Sequence, residues 1–119
     1  MDNTVEINIA KRYTSNPGPR YRILGEYSGE DFRSKFLETN FLNDKVNKIV
    51  ILLDGLRGYP SSFFEEAFGG LVRKIYSDNK PEKNDLINKV LNKFEFKSNN
   101  LIRIDEMKYY IKHSLDKID

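Results

Sequence analysis

The sequence predicts an α/β fold with a mixed central sheet of four to five strands and three to four helices. Two observations carry this prediction: a buried strand is followed at once by an amphipathic helix within residues 46–76, and strand-like segments alternate with helical ones elsewhere. Residues 49–53 are an uninterrupted apolar run that ends at Asp54 and Gly55. A strand with one solvent-exposed face would alternate apolar and polar residues, so this run predicts a central strand covered on both faces.

The segment after the central strand predicts a long helix. Pro60 precedes Ser61 and Ser62, and either hydroxyl can cap the first turn. Glu65 lies three residues after Ser62, which is the spacing of a capping box. The apolar face of this helix is expected to contain Phe64, Phe68, Leu71 and Ile75.

The opposite face of this helix is expected to be polar and to contain Glu66, Gly70, Arg73 and Ser77. Gly69 and Gly70 are unusual there, because each glycine costs a helix interior about 1 kcal/mol relative to alanine. The pair indicates a close approach to another element or a kink. The alternative is a flat surface where a partner or a ligand docks.

The remaining segments complete the predicted fold. Residues 4–10 alternate as a strand near a sheet edge, and residues 20–24 predict a short second strand that pairs with it as a hairpin. A helix begins after Ser28 in the pattern [ST]-x-x-[DE]. Residues 85–97 favour a short helix that passes into a strand at 94–97, and the last helix is expected at about 105–117.

Composition limits the function. The chain has 119 residues and 39% hydrophobic residues, which predicts one folded domain over 1–119. It has no cysteine, so disulfides and thiolate chemistry are excluded. The net charge of +2 gives no electrostatic case for nucleic acid, and no apolar run is long enough for a membrane span. We expect a cytoplasmic protein without a cofactor or a metal.

Candidate chemistry is sparse. Asp54 ends the central strand, where sites of open α/β sheets lie, and it can act as a base or simply bond loop amides. We expect a polar cluster of Arg20, Arg33, Asp54 and Glu65, and Arg57 can join it; the alternative is separate solvated charges. The adjacent Glu65 and Glu66 point in different directions on a helix, which argues against a paired-carboxylate site. His113 is expected at the surface.

A resemblance adds to this interpretation. The chain resembles a STAS-like family of unknown function, related to the STAS domains of anti-sigma-factor antagonists, over roughly residues 17–73. The residues that carry it are Gly18-Pro19-Arg20, Ser28-Gly29-Glu30-Asp31-Phe32-Arg33 and the run from Ser61 to Leu71, SSFFEEAFGGL. The resemblance implies a STAS-like sandwich and partner switching with a histidine-kinase-like ATPase. Ser61 matches the phospho-acceptor position, although Pro60 replaces the aspartate that precedes the acceptor.

These observations predict a non-enzymatic regulatory module that binds a protein partner through residues 55–70. The candidate contact or phospho-acceptor residues are Ser61, Ser62, Arg57, Glu66, Gly69 and Gly70. One alternative is a small-molecule or nucleotide binder, or a weak enzyme, that uses a polar cleft at the end of the central strand. Another is a component of a phage or defence assembly, and self-association of the chain also stays open.

Overall fold

The computed structural model describes residues 3–118, and within them three strands form one parallel sheet. The strands are β1 (Thr4–Asn8), β2 (Lys48–Leu52) and β3 (Phe94–Lys97), in the order β1-β2-β3. The central position of β2 and the edge position of β1 are confirmed. The prediction of a mixed sheet with four to five strands is wrong, since both strand pairs run parallel.

Five helices accompany the sheet in the described residues, so the expected number of three to four is wrong. They are α1 (Ile9–Arg12); α2 (29–42), which joins Gly29–Phe32, a π-helical turn Arg33–Leu37 and Glu38–Leu42; α3 (61–79), which joins Ser61–Phe64, a π-helical turn Glu65–Gly69 and Gly70–Asn79; α4 (Lys83–Lys93); and α5 (Leu101–Lys112). A 3-10 turn at Arg22–Leu24 precedes α2. Among residues 3–118, no helix has both the length and the apolarity to cross a membrane.

The core lies between one face of the sheet and the helices. Ile49 and Ile51 of β2 are fully buried and pair in register with Phe94 and Phe96 of β3. Phe68 of α3 packs edge-on against both of these rings. α3 therefore lies across the sheet, as its apolar stripe predicts.

The other face of the sheet is polar at its margins. Glu6 and Glu95 are exposed, and they are the register partners of Val50 on either side. Val50 itself is buried. The continuous apolar run of β2 therefore reflects a position between two other strands, rather than helices on both faces.

Residues 20–24 do not form the predicted strand. The backbone carbonyls of Pro19 and Arg20 accept hydrogen bonds from the amides of Gly29 and Glu30, at 2.9 and 3.0 Å. These bonds hold the segment against the start of α2 instead of β1. The backbone groups of this short segment, which lies between a proline and a glycine, find hydrogen-bond partners nearby in the chain. The prediction of a hairpin with β1 is therefore wrong.

The final helix begins earlier than expected. Asn100 caps α5 with its side chain, which accepts a hydrogen bond from the Ile102 amide at 3.0 Å. The expected start at about residue 105 is wrong, because Asp105 lies inside the helix. α5 ends at Lys112, and residues 113–117 form turns in which Ser114 bonds back to the Ile111 carbonyl. The passage from α4 directly into β3 is confirmed.

Candidate functional site

A cluster of arginines and glutamates lies where α2, α3 and the loop before α2 meet. Arg20 Nη1 lies 2.5 Å from Glu65 Oε1 and 3.2 Å from Glu66 Oε1. Arg73 binds Glu65 through both terminal nitrogens, at 2.7 and 2.8 Å. Arg33 binds the other oxygen of Glu66. The structure thus brings together three arginines and both carboxylates of the pair that follows Phe64.

The cluster lies largely inside the protein. The Arg33 side chain is 13% exposed and that of Glu66 is 9% exposed. Glu38 also accepts a bond from Arg33 Nε at 2.9 Å, so the guanidinium has two carboxylate partners. A charge removed from water in this way is stable only while its partner remains, because the interior offers no other compensation.

Two π-helical turns carry the residues of the cluster. Arg33 begins the π-helical turn of α2, and Glu65 and Glu66 begin that of α3. Such turns are rare, and they are frequent at functional sites. Both carboxylates of the pair reach Arg20 and Arg73, contrary to the expectation that they diverge.

Gly69 and Gly70 make room for these charges. A Cβ on Gly70 would lie 2.6 Å from Arg33 Nη1 and 2.7 Å from Glu66 Oε2. A Cβ on Gly69 would overlap the Glu65 carboxylate and approach the Tyr110 carbonyl oxygen to 3.1 Å. Both glycines are buried, so the close-approach interpretation holds and they do not form an accessible flat surface.

The ion pairs keep Glu65 and Arg73 in their charged forms. Burial alone would raise the pKa of Glu65, but hydrogen bonds from Arg73 and Arg20 outweigh it and hold that pKa below the ordinary value. The hydrogen bond to Glu65 raises the pKa of Arg73. Both groups therefore remain charged near neutral pH, and neither is poised to exchange a proton there.

The start of α3 differs from its prediction. Pro60 occupies the N-cap position, and within residues 3–118 no side chain makes a capping hydrogen bond there. The capping box from Ser62 to Glu65 is wrong, because Arg20 and Arg73 hold the Glu65 carboxylate. Ser61 is exposed and Ser62 is partly buried.

Asp54 lies apart from the cluster. Its carboxylate accepts hydrogen bonds from Ser98 Oγ at 2.7 Å and from the Asn99 amide at 2.9 Å. The Ser98 bond lowers the pKa of Asp54. Asp54 therefore ties the loop after β2 to the loop after β3, beside an open cavity of about 310 Å³. Arg57 is exposed on the same loop, and its amide donates to the Ser15 carbonyl at 2.8 Å.

Sequence reasoning placed Arg73 on the polar face of α3 but not in the polar cluster. Arg73 follows Glu66 by seven residues, which is two helical turns, and this spacing is the signal that could have placed it there. The position of Glu66 on the polar face is a correction: it faces Arg33 and Arg20 in the interior and is 7% exposed.

A second feature that sequence reasoning missed is the loop from Gly18 to Gly29, here called the apolar loop. It exposes four large hydrophobic side chains, Tyr21, Ile23, Leu24 and Tyr27. Beneath it lies an open cavity of about 580 Å³, in which Asp31 accepts bonds from Tyr13 at 2.7 Å and Arg22 at 2.9 Å. Among residues 3–118, no group of three or more His, Cys, Asp or Glu side chains is arranged to hold a metal.

Comparison with known proteins identifies a family. A family model described as a STAS-like domain of unknown function matches residues 28–101. The match covers more than half of the 119 residues, so the chain belongs to that family. It includes α2, β2 and α3 with all of the ion cluster except Arg20. No curated protein and no solved structure matches the chain.

Proposed function

We propose that this STAS-like chain is a non-enzymatic regulatory module that binds a protein partner through the apolar loop and the adjoining start of α3. The observation that supports the proposal is the exposure of large hydrophobic side chains on a loop held rigidly in place. The partner class we propose is a histidine-kinase-like ATPase in the cytoplasm, which the family resemblance implies.

The apolar loop is fixed at both ends. The Gly18 amide donates to the Tyr27 carbonyl at 2.9 Å, and the Gly29 amide donates to the Pro19 carbonyl at the same distance. Inside the loop, the Arg22 amide bonds the Glu30 carboxylate at 2.9 Å. A surface that is already ordered loses little conformational entropy when a partner binds, which favours affinity.

The exposed side chains of this loop have little reason to be apolar in the isolated fold. Ile23 is 92% exposed and Leu24 is 66% exposed. Tyr27 adopts a left-handed conformation with φ of 53°, which is uncommon for a residue other than glycine. Clustered exposed hydrophobic residues on a monomer mark interaction sites, and tyrosine is enriched in the residues that dominate binding energy.

The start of α3 borders this loop. A Cβ on Gly29 would overlap the Phe63 carbonyl oxygen, and Arg20 reaches Glu65. Ser61, the first residue of α3, is exposed, and Arg57 is exposed on the preceding loop. The proposal does not require phosphorylation of Ser61, where Pro60 replaces the aspartate of STAS antagonists.

The ion cluster favours a binding role over catalysis. The charges balance only when Glu38 is counted, because three positive and three negative side chains then pair in the cluster, namely Arg20, Arg33, Arg73, Glu38, Glu65 and Glu66. A general base needs access to a substrate proton and a pKa near the working pH. Glu65 is bonded to Arg73 and its pKa is held below the ordinary value, so we assign the cluster to positioning the loop and α3.

The test compares two leucines of similar exposure. Leu24 on the apolar loop is 66% exposed, and Leu42 at the end of α2 is 61% exposed. Affinity purification of tagged chain from its host, with quantitative mass spectrometry, is expected to recover a histidine-kinase-like ATPase with the wild type and with Leu42→Asp. Leu24→Asp is expected to lose it. Circular dichroism checks that both variants fold.

Recovery of no such ATPase, or equal loss with both variants, would overturn the proposal. The alternative function is a small-molecule binder at the cavity beside Asp54, Ser98 and Lys97, which lies at the carboxyl ends of the strands. A thermal-shift screen of nucleotides and metabolites separates the two. A ligand at 100 times its dissociation constant adds about 2.7 kcal/mol of stability, and Asp54→Ala should remove that gain.

A further inference from the structure

The outward face of α5 carries a second apolar stripe. Met107 and Ile111 of this helix are fully buried against the core. On the opposite side, Ile102 and Tyr109 are 66% and 59% exposed. With 100° per residue, these two positions lie about 20° apart on the helix surface, on one line along two turns. The outer side of α5 thus exposes two large apolar residues, with Asp105 and Glu106 on the turn between them, whereas a helix at the protein surface is normally polar on its outer side.

The stripe forms a shallow groove. A cavity of about 380 Å³ is lined by Ile102, Asp105, Glu106, Tyr109 and Tyr110. The two tyrosine rings stand edge to face, with their centroids 6.3 Å apart. The groove is distinct from the apolar loop, since the two cavities share no lining residue.

The charge in this groove is acidic. Asp105 is exposed and makes no ion pair among residues 3–118. Glu106 pairs with Arg103 at 3.0 Å, and the Arg103 guanidinium lies over the Tyr59 ring, 4.1 Å from its centroid. Lys108 and Lys112 lie on the Asp105 side of α5, away from Glu106, and neither lines the groove. An apolar groove with a free carboxylate is complementary to an apolar surface that carries a cation.

We propose that the outward face of α5 docks an amphipathic helix of a partner protein, with an apolar stripe against Ile102 and Tyr109 and a basic residue opposite Asp105. A helix of two turns matches the length of the stripe, and helices that lie in grooves present residues at i, i+3, i+4 and i+7. This inference adds a second surface and is independent of the apolar loop.

The probe is a synthetic alanine-based peptide of about 15 residues with leucines at i, i+4 and i+7 and lysines beside them. Its matched control carries glutamates in place of the lysines. The chain has a net charge of +2, so general electrostatic attraction disfavours the lysine peptide. We expect NMR titration of isotope-labelled chain to shift amides of α5, with the lysine peptide binding about two- to fivefold more tightly than the control.

Variants locate the effect. Asp105→Lys should reverse the preference between the two peptides, while Asp78→Lys on α3 should leave it unchanged. Ile102→Ser with Tyr109→Ser should weaken binding at least about tenfold. Leu24→Asp should not alter this titration, so failure here is distinguishable from failure of the apolar-loop proposal.

Three outcomes would overturn the inference: no shifts in α5, equal affinity for both peptides, or α5 shifts that appear when the concentration of the chain alone is raised. The last result would show that a second copy covers the face.

Discussion

Two helices of this protein start with the same sequence pattern and end with different local structures. α2 begins after Ser28 with Asp31 three residues on, and α3 begins near Ser62 with Glu65 at the same spacing. The Ser28 hydroxyl accepts a hydrogen bond from the Asp31 amide at 3.0 Å and caps α2. In the part of the chain that the structure describes, no side chain caps α3. The pattern located both helix starts, but it described the bonding of only one.

The difference in capping arises from where each serine lies. Ser28 is the N-cap of α2, whereas Ser62 lies inside α3, where the Glu65 amide donates to backbone carbonyls of the first turn. The acidic side chains also differ in their partners. Glu65 is held by Arg20 and Arg73, of which Arg20 is distant along the chain. Asp31 is likewise held by side chains, including Tyr13 and Arg22, yet its amide stays in reach of Ser28. A carboxylate forms a stronger hydrogen bond with a guanidinium than with a neutral amide, because both the carboxylate and the guanidinium carry charge. The group that the acidic side chain of this motif binds is therefore decided by the tertiary structure.

The first prediction concerns a variant that removes the ion pair between Arg33 of α2 and Glu66 of α3. Glu66→Ala leaves the Arg33 guanidinium in the interior with Glu38 as its remaining acidic partner. We expect a loss of about 3 kcal/mol in the free energy of unfolding, measured by urea denaturation. Glu95→Ala, on the exposed face of β3, is the control and should stay within about 0.5 kcal/mol. A loss below about 1 kcal/mol for Glu66→Ala would contradict the buried pairing.

The second prediction compares one glycine from each helix. A Cβ on Gly29 would overlap the Phe63 carbonyl oxygen, which is backbone and cannot move alone. A Cβ on Gly70 meets only side-chain ends, those of Arg33 and Glu66. Gly29→Ala should cost about 2–3 kcal/mol and Gly70→Ala about 1 kcal/mol, because alanine also favours the helix.

A Cβ on Gly58 meets nothing within 4 Å, so Gly58→Ala is the neutral reference for this comparison. Thermal denaturation ranks the three variants. Equal losses for Gly29→Ala and Gly70→Ala would show that the Phe63 contact is not rigid.

The third prediction concerns the two helix starts themselves. Ser28→Ala removes a cap from α2 and should cost about 1 kcal/mol. Ser62→Ala removes no capping bond and should change stability by only a few tenths of a kcal/mol. If the two variants lose the same stability, Ser62 caps α3 in solution and the contrast between the helices fails.

The smallest effect is expected on the pH dependence of stability at acidic pH. Burial would raise the pKa of Glu65, but bonds from Arg73 and Arg20 hold it below the usual 4.5. The folded state therefore binds this proton less readily than the unfolded chain, so the contribution of Glu65 is complete above pH 4.5 and is lost as pH falls through the lowered pKa. Glu65→Gln should flatten the decline of stability between about pH 5 and pH 3, while Glu95→Gln should not.

The candidate site was predictable in part. The polar cluster expected from the sequence contained Arg20, Arg33 and Glu65, and the structure brings these three together. Asp54 was expected among them because it ends the central strand, but the loop after β3 satisfies its carboxylate. Glu66 was expected on a wet face. Glu66 is buried because it pairs with two arginines. The spacing of residues along the chain does not show that these arginines lie close to Glu66.

The sequence by itself determined the central strand, the strand Phe94–Lys97 and the helices α2, α3 and α4, since an apolar run or stripe identifies the face that leaves water whatever lies opposite. Only the tertiary structure decided that the sheet is parallel, that residues 20–24 belong to a loop and that Glu66 lies inside. The physical reason is distance along the chain. Arg20 and Glu65 are 45 residues apart, and Arg33 and Glu66 are 33 apart, so their bonds exist only after the helices have packed.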